Sequence, residues 1–184
     1  DRFVKKVLLE TCCAKGVVVG PDFHFGHKRS GNIETLRGWG TRERFSVELV
    51  PPVMHGGEAV SSTRIRRVLR EEGDVEDVAR MMTRLHELSG VVVRGDQRGR
   101  EIGFPTANLE IGPLQLPKDG VYSVFARLLD EPGSALLHGV ANLGVRPTFG
   151  AGRSLEVHLF GFDGELYGKR MRIGFASRIR GEAK

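Results

Sequence analysis

The chain has 184 residues, 40% of them hydrophobic, and 28 Lys and Arg against 23 Asp and Glu give it a net charge of +5. That is enough apolar material for one large or two small buried cores, and no apolar run approaches the ~20 residues of a membrane-spanning helix. Residues 1–86 hold 15 basic and 12 acidic side chains and the remainder 13 and 11. No basic tail therefore marks a nucleic-acid binder, and small anionic ligands are the expected partners.

Cys12 and Cys13 are the only cysteines. Sequence neighbours rarely form an ordinary disulfide, so a reducing cytoplasm is the expected setting. The start at Asp1-Arg2-Phe3, without methionine or a signal-peptide pattern, reads as the interior of a longer chain.

In chain order, Gly16 to Val19 reads as a strand, followed by a loop and a second strand over Phe45 to Leu49. A helix is predicted from Ser62 to Glu72. Ser61 or Ser62 can cap it, Ile65, Val68 and Leu69 recur at core-facing spacing, and Gly73 with Asp74 ends it. A second helix is predicted over Val75 to Arg84. This alternation suggests the last portion of a parallel-sheet α/β domain. Nine of the 25 glycines precede Glu87 and sixteen follow it, which places a boundary there, between domains 1–86 and 87–184.

From Leu88 the pattern changes to short strands between Gly and Pro punctuation: Leu88 to Arg94, Val121 to Leu129, Leu137 to Leu143, Leu155 to Phe162 and Arg170 to Phe175. Five or six such strands favour a small all-β barrel. Between the first two lies RGREIGFPTAN, Arg98 to Asn108, read as one short loop. Gly95, Gly99 and Gly103 let backbone approach a bulky anion, Arg98 and Arg100 supply positive charge, and the oxygens of Thr106 and Asn108 suit a hard cation. Their i, i+2 spacing on an extended segment aims both to one side. A plain turn held by side-chain hydrogen bonds would use the same residues. In the strand beginning at Leu155, alternation puts Leu155, Val157 and Leu159 on one face and Glu156 and His158 on the other. By itself Glu156 reads as an ordinary solvated strand residue.

The PTAN run, together with LEVHLFGFDGELYGKRMRI from Leu155 to Ile173, resembles the signatures of riboflavin kinases. Lys118 to Tyr122 and the run GVANLGVRPTF from Gly139 to Phe149 also resemble stretches of that family. The resemblance implies a six-stranded barrel that transfers the terminal phosphoryl of ATP to riboflavin, giving FMN. It implies Glu156 as the base for the ribityl hydroxyl and Thr106 and Asn108 as ligands of Mg2+. ATP would be held by Gly95, Arg98, Gly99, Arg100, Gly103, Thr106 and Asn108, with Tyr167-Gly168 flanking the adenine.

The first part resembles the FMN adenylyltransferase module of bacterial bifunctional riboflavin kinase/FAD synthetases, a nucleotidyltransferase-like, Rossmann-like fold. VVVGPDFHFGHKRSGN carries Asp22, Phe23, Phe25 and Gly26 of a flavin-side loop, and VSSTRIR carries Ser62, Thr63 and Arg66 of a nucleotide-side helix start. A plain N-cap with a basic solvent face accounts for the second string equally well. The family's HxGH segment is absent, His24 and His27 do not replace it, and RIRGEAK stops where a C-terminal helix is expected. The chain thus reads as a fragment whose partners are the small molecules riboflavin, FMN and ATP, with no nucleic acid and no membrane. The competing reading is a non-catalytic flavin- or nucleotide-binding fragment.

Overall fold

The computed structural model describes residues 2–95, 106–131, 133–145 and 153–181. Its packing divides into two compact units, Asp1–Val60 and Ser61–Lys184. The loop positions Arg98, Gly99, Arg100 and Gly103, and the run 146–149, lie outside the described residues.

The first unit is a small α/β body. A helical segment wound as a π-helix, Phe3–Thr11, leads into β1 (Gly16–Val19), α1 (Ile33–Glu43) and β2 (Ser46–Leu49). β1 and β2 pair in parallel, Gly16 opposite Ser46 and Val19 opposite Leu49, with α1 in the crossover between them, the connection parallel strands require. Asn32 starts α1 by accepting the Thr35 amide at 3.0 Å, and Leu36 and Trp39 carry its buried face into a core with Val4, Val19, Phe25 and Phe45. The sequence predicts a loop where α1 stands, because two glycines and several polar residues blur its helical period. A short hairpin, β3 (Met54–His55) and β4 (Glu58–Ala59), closes the unit.

The second unit opens with α2 (Ser62–Arg67), which continues as a π-type turn over Val68–Glu72, and α3 (Val75–Met82). Ser61 is the cap, its hydroxyl accepting the Arg64 amide at 3.2 Å. Gly73 ends the segment with φ +72°, the left-handed conformation that glycine adopts without cost. Asp74 caps α3 through the Asp77 amide at 2.8 Å. The terminal carbonyls of the first helical stretch are taken by the barrel. Lys118 donates its amide to Leu69 O at 2.9 Å and its Nζ to Glu71 O at 2.6 Å, while Arg178 donates to Glu72 O at 3.4 Å and to Asp119 O at 2.9 Å. Residues 61–86 thus pack in the compact unit of the barrel, although their composition groups them with the first part.

Six strands then close an antiparallel barrel: β5 (His86–Val93), β6 (Ala107–Ile111), β7 (Gly120–Leu128), β8 (Leu137–Val145), β9 (Arg153–Leu159) and β10 (Arg170–Arg180), in the order β10-β5-β6-β9-β8-β7. Closure removes the exposed edges of a sheet. Strict alternation of buried and partly buried residues along β7 and β9 gives the interior, which includes Leu88, Leu109, Tyr122, Leu143, Leu155, Ile173 and Phe175, all at most 5% exposed. The five expected strands are present with shifted ends. The sixth, β6, begins inside the stretch predicted as a loop up to Asn108; Ala107 to Ile111 alternates apolar with polar residues, but the run is only five residues long and follows directly on Gly and Pro punctuation, and in the fold Ala107, Asn108 and Leu109 are all buried.

Candidate active site

Direct register partners on neighbouring strands put their side chains on the same face of a sheet. Val93, Asn108, Glu156, Asn142 and Val121 are successive partners across β5, β6, β9, β8 and β7. The row beside it, Val92, Leu109, Leu155 and Leu143, is buried and fills the interior. Asn108, Glu156 and Asn142 therefore leave the barrel on its outer side, with the carboxylate between two carboxamides. Glu156 is half-buried, whereas Asn108 is only 5% exposed, its carboxamide lying against the backbone of Gly95. Two of the expected kinase residues, Asn108 on β6 and Glu156 on β9, 48 positions apart in sequence, are thus neighbours. Asn142 was not singled out from sequence; only the strand pairing reveals its place.

A cleft of about 280 Å³ opens at one end of the barrel, lined by Val92, Thr106, Val157, Phe162, Leu166 and Tyr167 among others. The β9–β10 connection forms one wall and is tied to β5, Gly168 donating to Val92 O at 2.9 Å and Val92 to Lys169 O at 3.0 Å. Its turn is stiffened by the Glu165 carboxylate, which accepts the Tyr167 amide at 3.1 Å. The Arg94 guanidinium, at the end of β5, stands over the Tyr167 ring 5.4 Å from its centre. Thr106 joins the two regions: it lines the cleft and lies immediately before β6, two residues from Asn108. Nothing in the sequence singles out Phe162, Leu166 or Arg94 as site residues: Arg94 and Phe162 read as the ends of the strands Leu88 to Arg94 and Leu155 to Phe162, and Leu166 only as part of the run from Leu155 to Ile173.

His158 lies two residues from Glu156 and packs edge-on against Phe160, centres 5.6 Å apart. His86 hydrogen-bonds to Gln115 O at 3.0 Å; burial, opposed by that hydrogen bond, lowers its pKa. Among the described residues no group of three or more His, Cys, Asp or Glu could hold a metal ion.

The residues expected for the second activity divide between the two units. Phe25 is 8% exposed in the core of the first, where Phe23 stacks on it at 5.7 Å; Asp22 and Gly26 are exposed. His24 is turned to its own loop, with Nδ1 2.8 Å from Asp22 O. Ser62, Thr63 and Arg66 are exposed on α2 in the second unit.

The riboflavin kinase family model matches residues 82–184, the stretch that builds the barrel and its cleft. The chain belongs to the riboflavin kinase family. An FAD synthetase model matches residues 1–64. Bifunctional riboflavin kinase/FMN adenylyltransferases from Haemophilus influenzae and Pseudomonas fluorescens are 36% and 37% identical over the whole of this chain and over 59% and 58% of their own lengths. The Escherichia coli protein of the same description is 35% identical over 58% of its length. The chain therefore spans somewhat over half the length of the curated relatives it matches. A solved structure described as a macrolide-efflux protein from Streptococcus pneumoniae shares the fold, with a TM-score of 0.84 and 30% identity over 98% of this chain and 57% of that one. Among the described residues, no helix is long and apolar enough to cross a membrane.

Proposed function

We propose that this chain carries the kinase of a bifunctional riboflavin kinase/FMN adenylyltransferase and makes FMN from riboflavin and ATP. The observation that carries this reading is the register pairing of Asn108 with Glu156, beside a cleft entered at Thr106. The base and sugar of ATP occupy the cleft against Phe162, Leu166 and Tyr167. The triphosphate passes Thr106 to the outer side of the barrel, where Asn108 and Glu156 stand.

Phosphoryl transfer asks little covalent chemistry of a protein; positioning and charge are sufficient. The ribityl 5′-oxygen attacks the γ-phosphorus, the bond from that phosphorus to the β,γ-bridging oxygen breaks, ADP leaves, and the hydroxyl proton passes to the Glu156 carboxylate. The donor set fits Mg2+. The Thr106 hydroxyl and Asn108 carbonyl, two residues apart on one segment, would be its hard oxygen ligands, and Mg2+ is commonly held by few protein oxygens together with substrate phosphates. When bound, the ion supplies positive charge to the phosphate oxygens. Asn142, on the other flank of Glu156, offers the hydroxyl a hydrogen-bonding neighbour and keeps that side of the carboxylate polar.

We assign the kinase to residues 87–184 and a partial adenylyltransferase module to 1–86, in a cytoplasmic parent that acts on small molecules. There Asp22, Phe23, Phe25 and Gly26 would serve the flavin, and Ser62, Thr63 and Arg66 the nucleotide. Incubating the folded chain with riboflavin and MgATP and resolving products by chromatography tests the kinase. FMN formation supports it; a folded chain that makes none overturns it.

A further inference from the structure

The feature left over once the phosphates and the hydroxyl have been provided for is the stack of Arg94 on Tyr167. Arg94 is an exposed cation just beyond β5, and its guanidinium lies over an aromatic face at 5.4 Å, within the range in which the ring quadrupole attracts a cation. Tyr167 also lines the cleft, whereas Arg94 does not. Tyr167 is thus the residue that the cleft and the Arg94 guanidinium share. The arrangement is held from the backbone: the mutual hydrogen bonds of Val92 with Gly168 and Lys169 place Tyr167 beside the end of β5, and the Glu165 carboxylate holds the Tyr167 amide. Asp163 and Glu165 also line the cleft, and negative charge there disfavours phosphate and leaves that part of the cleft to a neutral group.

We infer that Arg94 is a positioning residue for the nucleotide, acting through Tyr167: it pins the ring as the flat wall on which the purine packs. This rests on the cleft being the ATP site. The cation does more than fill space. It withdraws electron density from the ring face it covers and fixes the ring orientation before the nucleotide arrives, so less ordering remains for binding to accomplish. The part of the cleft formed by Asp163, Glu165 and Tyr167 receives the base and sugar, leaving the phosphates to Thr106.

Calorimetric titration with MgADP and, separately, with magnesium tripolyphosphate tests the assignment. Arg94→Ala should weaken ADP binding about three- to tenfold and raise KM for ATP by a similar factor, with kcat at saturating ATP held within about twofold. Tripolyphosphate binding should be unchanged, because it lacks the base. Arg94→Lys should recover part of the loss. Tyr167→Ala should weaken ADP binding at least as much, and the double variant should be no worse than Tyr167→Ala alone. Unchanged ADP affinity in Arg94→Ala, an equal loss toward tripolyphosphate, or additive losses in the double variant would each overturn the inference. A wild-type chain that takes up no ADP would overturn the reading of the cleft itself, whereas ADP uptake with an indifferent Arg94→Ala sinks only the role of Arg94.

Discussion

Gly95 approaches Asn108 so closely that a β-carbon on the glycine would overlap the Asn108 Nδ2 and lie 2.9 Å from its Oδ1. The smallest side chain at position 95 must therefore displace a carboxamide that is otherwise almost fully buried. Gly95→Ala is expected to raise the Mg2+ concentration for half-maximal activity and to lower kcat/KM by roughly 10–100-fold, with little change in riboflavin affinity. Wild-type magnesium dependence in this variant would show that the Asn108 carbonyl is no ligand.

Glu156 is assigned the ribityl proton. Glu156→Gln keeps the shape and removes the base, so turnover should fall by ~10²–10⁴ while MgATP affinity stays near wild type. The check is steady-state kinetics beside a nucleotide titration. Near-normal turnover would return Glu156 to the solvated strand residue it resembles in isolation.

Thr106→Ala and Asn108→Ala each remove one hard oxygen from the same short segment. Both should increase the magnesium requirement and slow phosphoryl transfer, and riboflavin binding should change less. If both retain wild-type magnesium dependence, the metal is held elsewhere and the PTAN run serves only to shape the chain.

The clasp of Lys118 and Arg178 on the α2 end is a matter of stability. Arg178→Ala removes donors from Asp119 O and Glu72 O, and an acceptor deprived of its partner costs about 1–3 kcal/mol. Thermal unfolding should shift down by roughly 2–8 °C, with KM for ATP unchanged. A shifted KM at unchanged melting temperature would instead tie this end of the barrel to the site.

His86 makes stability depend on pH in a direction that can be worked out. Its pKa is lowered in the folded protein, first by burial and against the hydrogen bond to Gln115, so the unfolded chain binds the proton more readily. Stability from this group is complete above the unfolded value near 6.5 and is lost as pH falls from there toward the lowered folded value. Melting temperatures measured from pH 8 to 5 should fall more steeply for wild type than for His86→Gln. Parallel curves would show that the histidine is protonated as easily in the fold as outside it.

Much of this protein is legible in its sequence because the signals are local. Alternation through β7 and β9, glycine and proline between strands, and caps at Ser61, Asp74 and Gly73 are properties of a few consecutive residues, and they suffice for the barrel and for both helices of its unit. The face on which Glu156 lies follows from the same alternation. Non-local packing decided the rest. β6 alternates over only five residues behind a Gly and Pro run, too short a signal to separate from loop, and the burial of Asn108 comes from Gly95 of another segment. α1 gains its place from Leu36 and Trp39 entering a core, against a weak helical period. Residues 61–86 join the barrel because Lys118 and Arg178, distant in sequence, hold their carbonyls. The site itself is of this second kind: Asn108, Glu156 and Asn142 become neighbours only when three strands pair in register, and the order and shift of those strands are set by how a closed interior fills, which no single segment encodes.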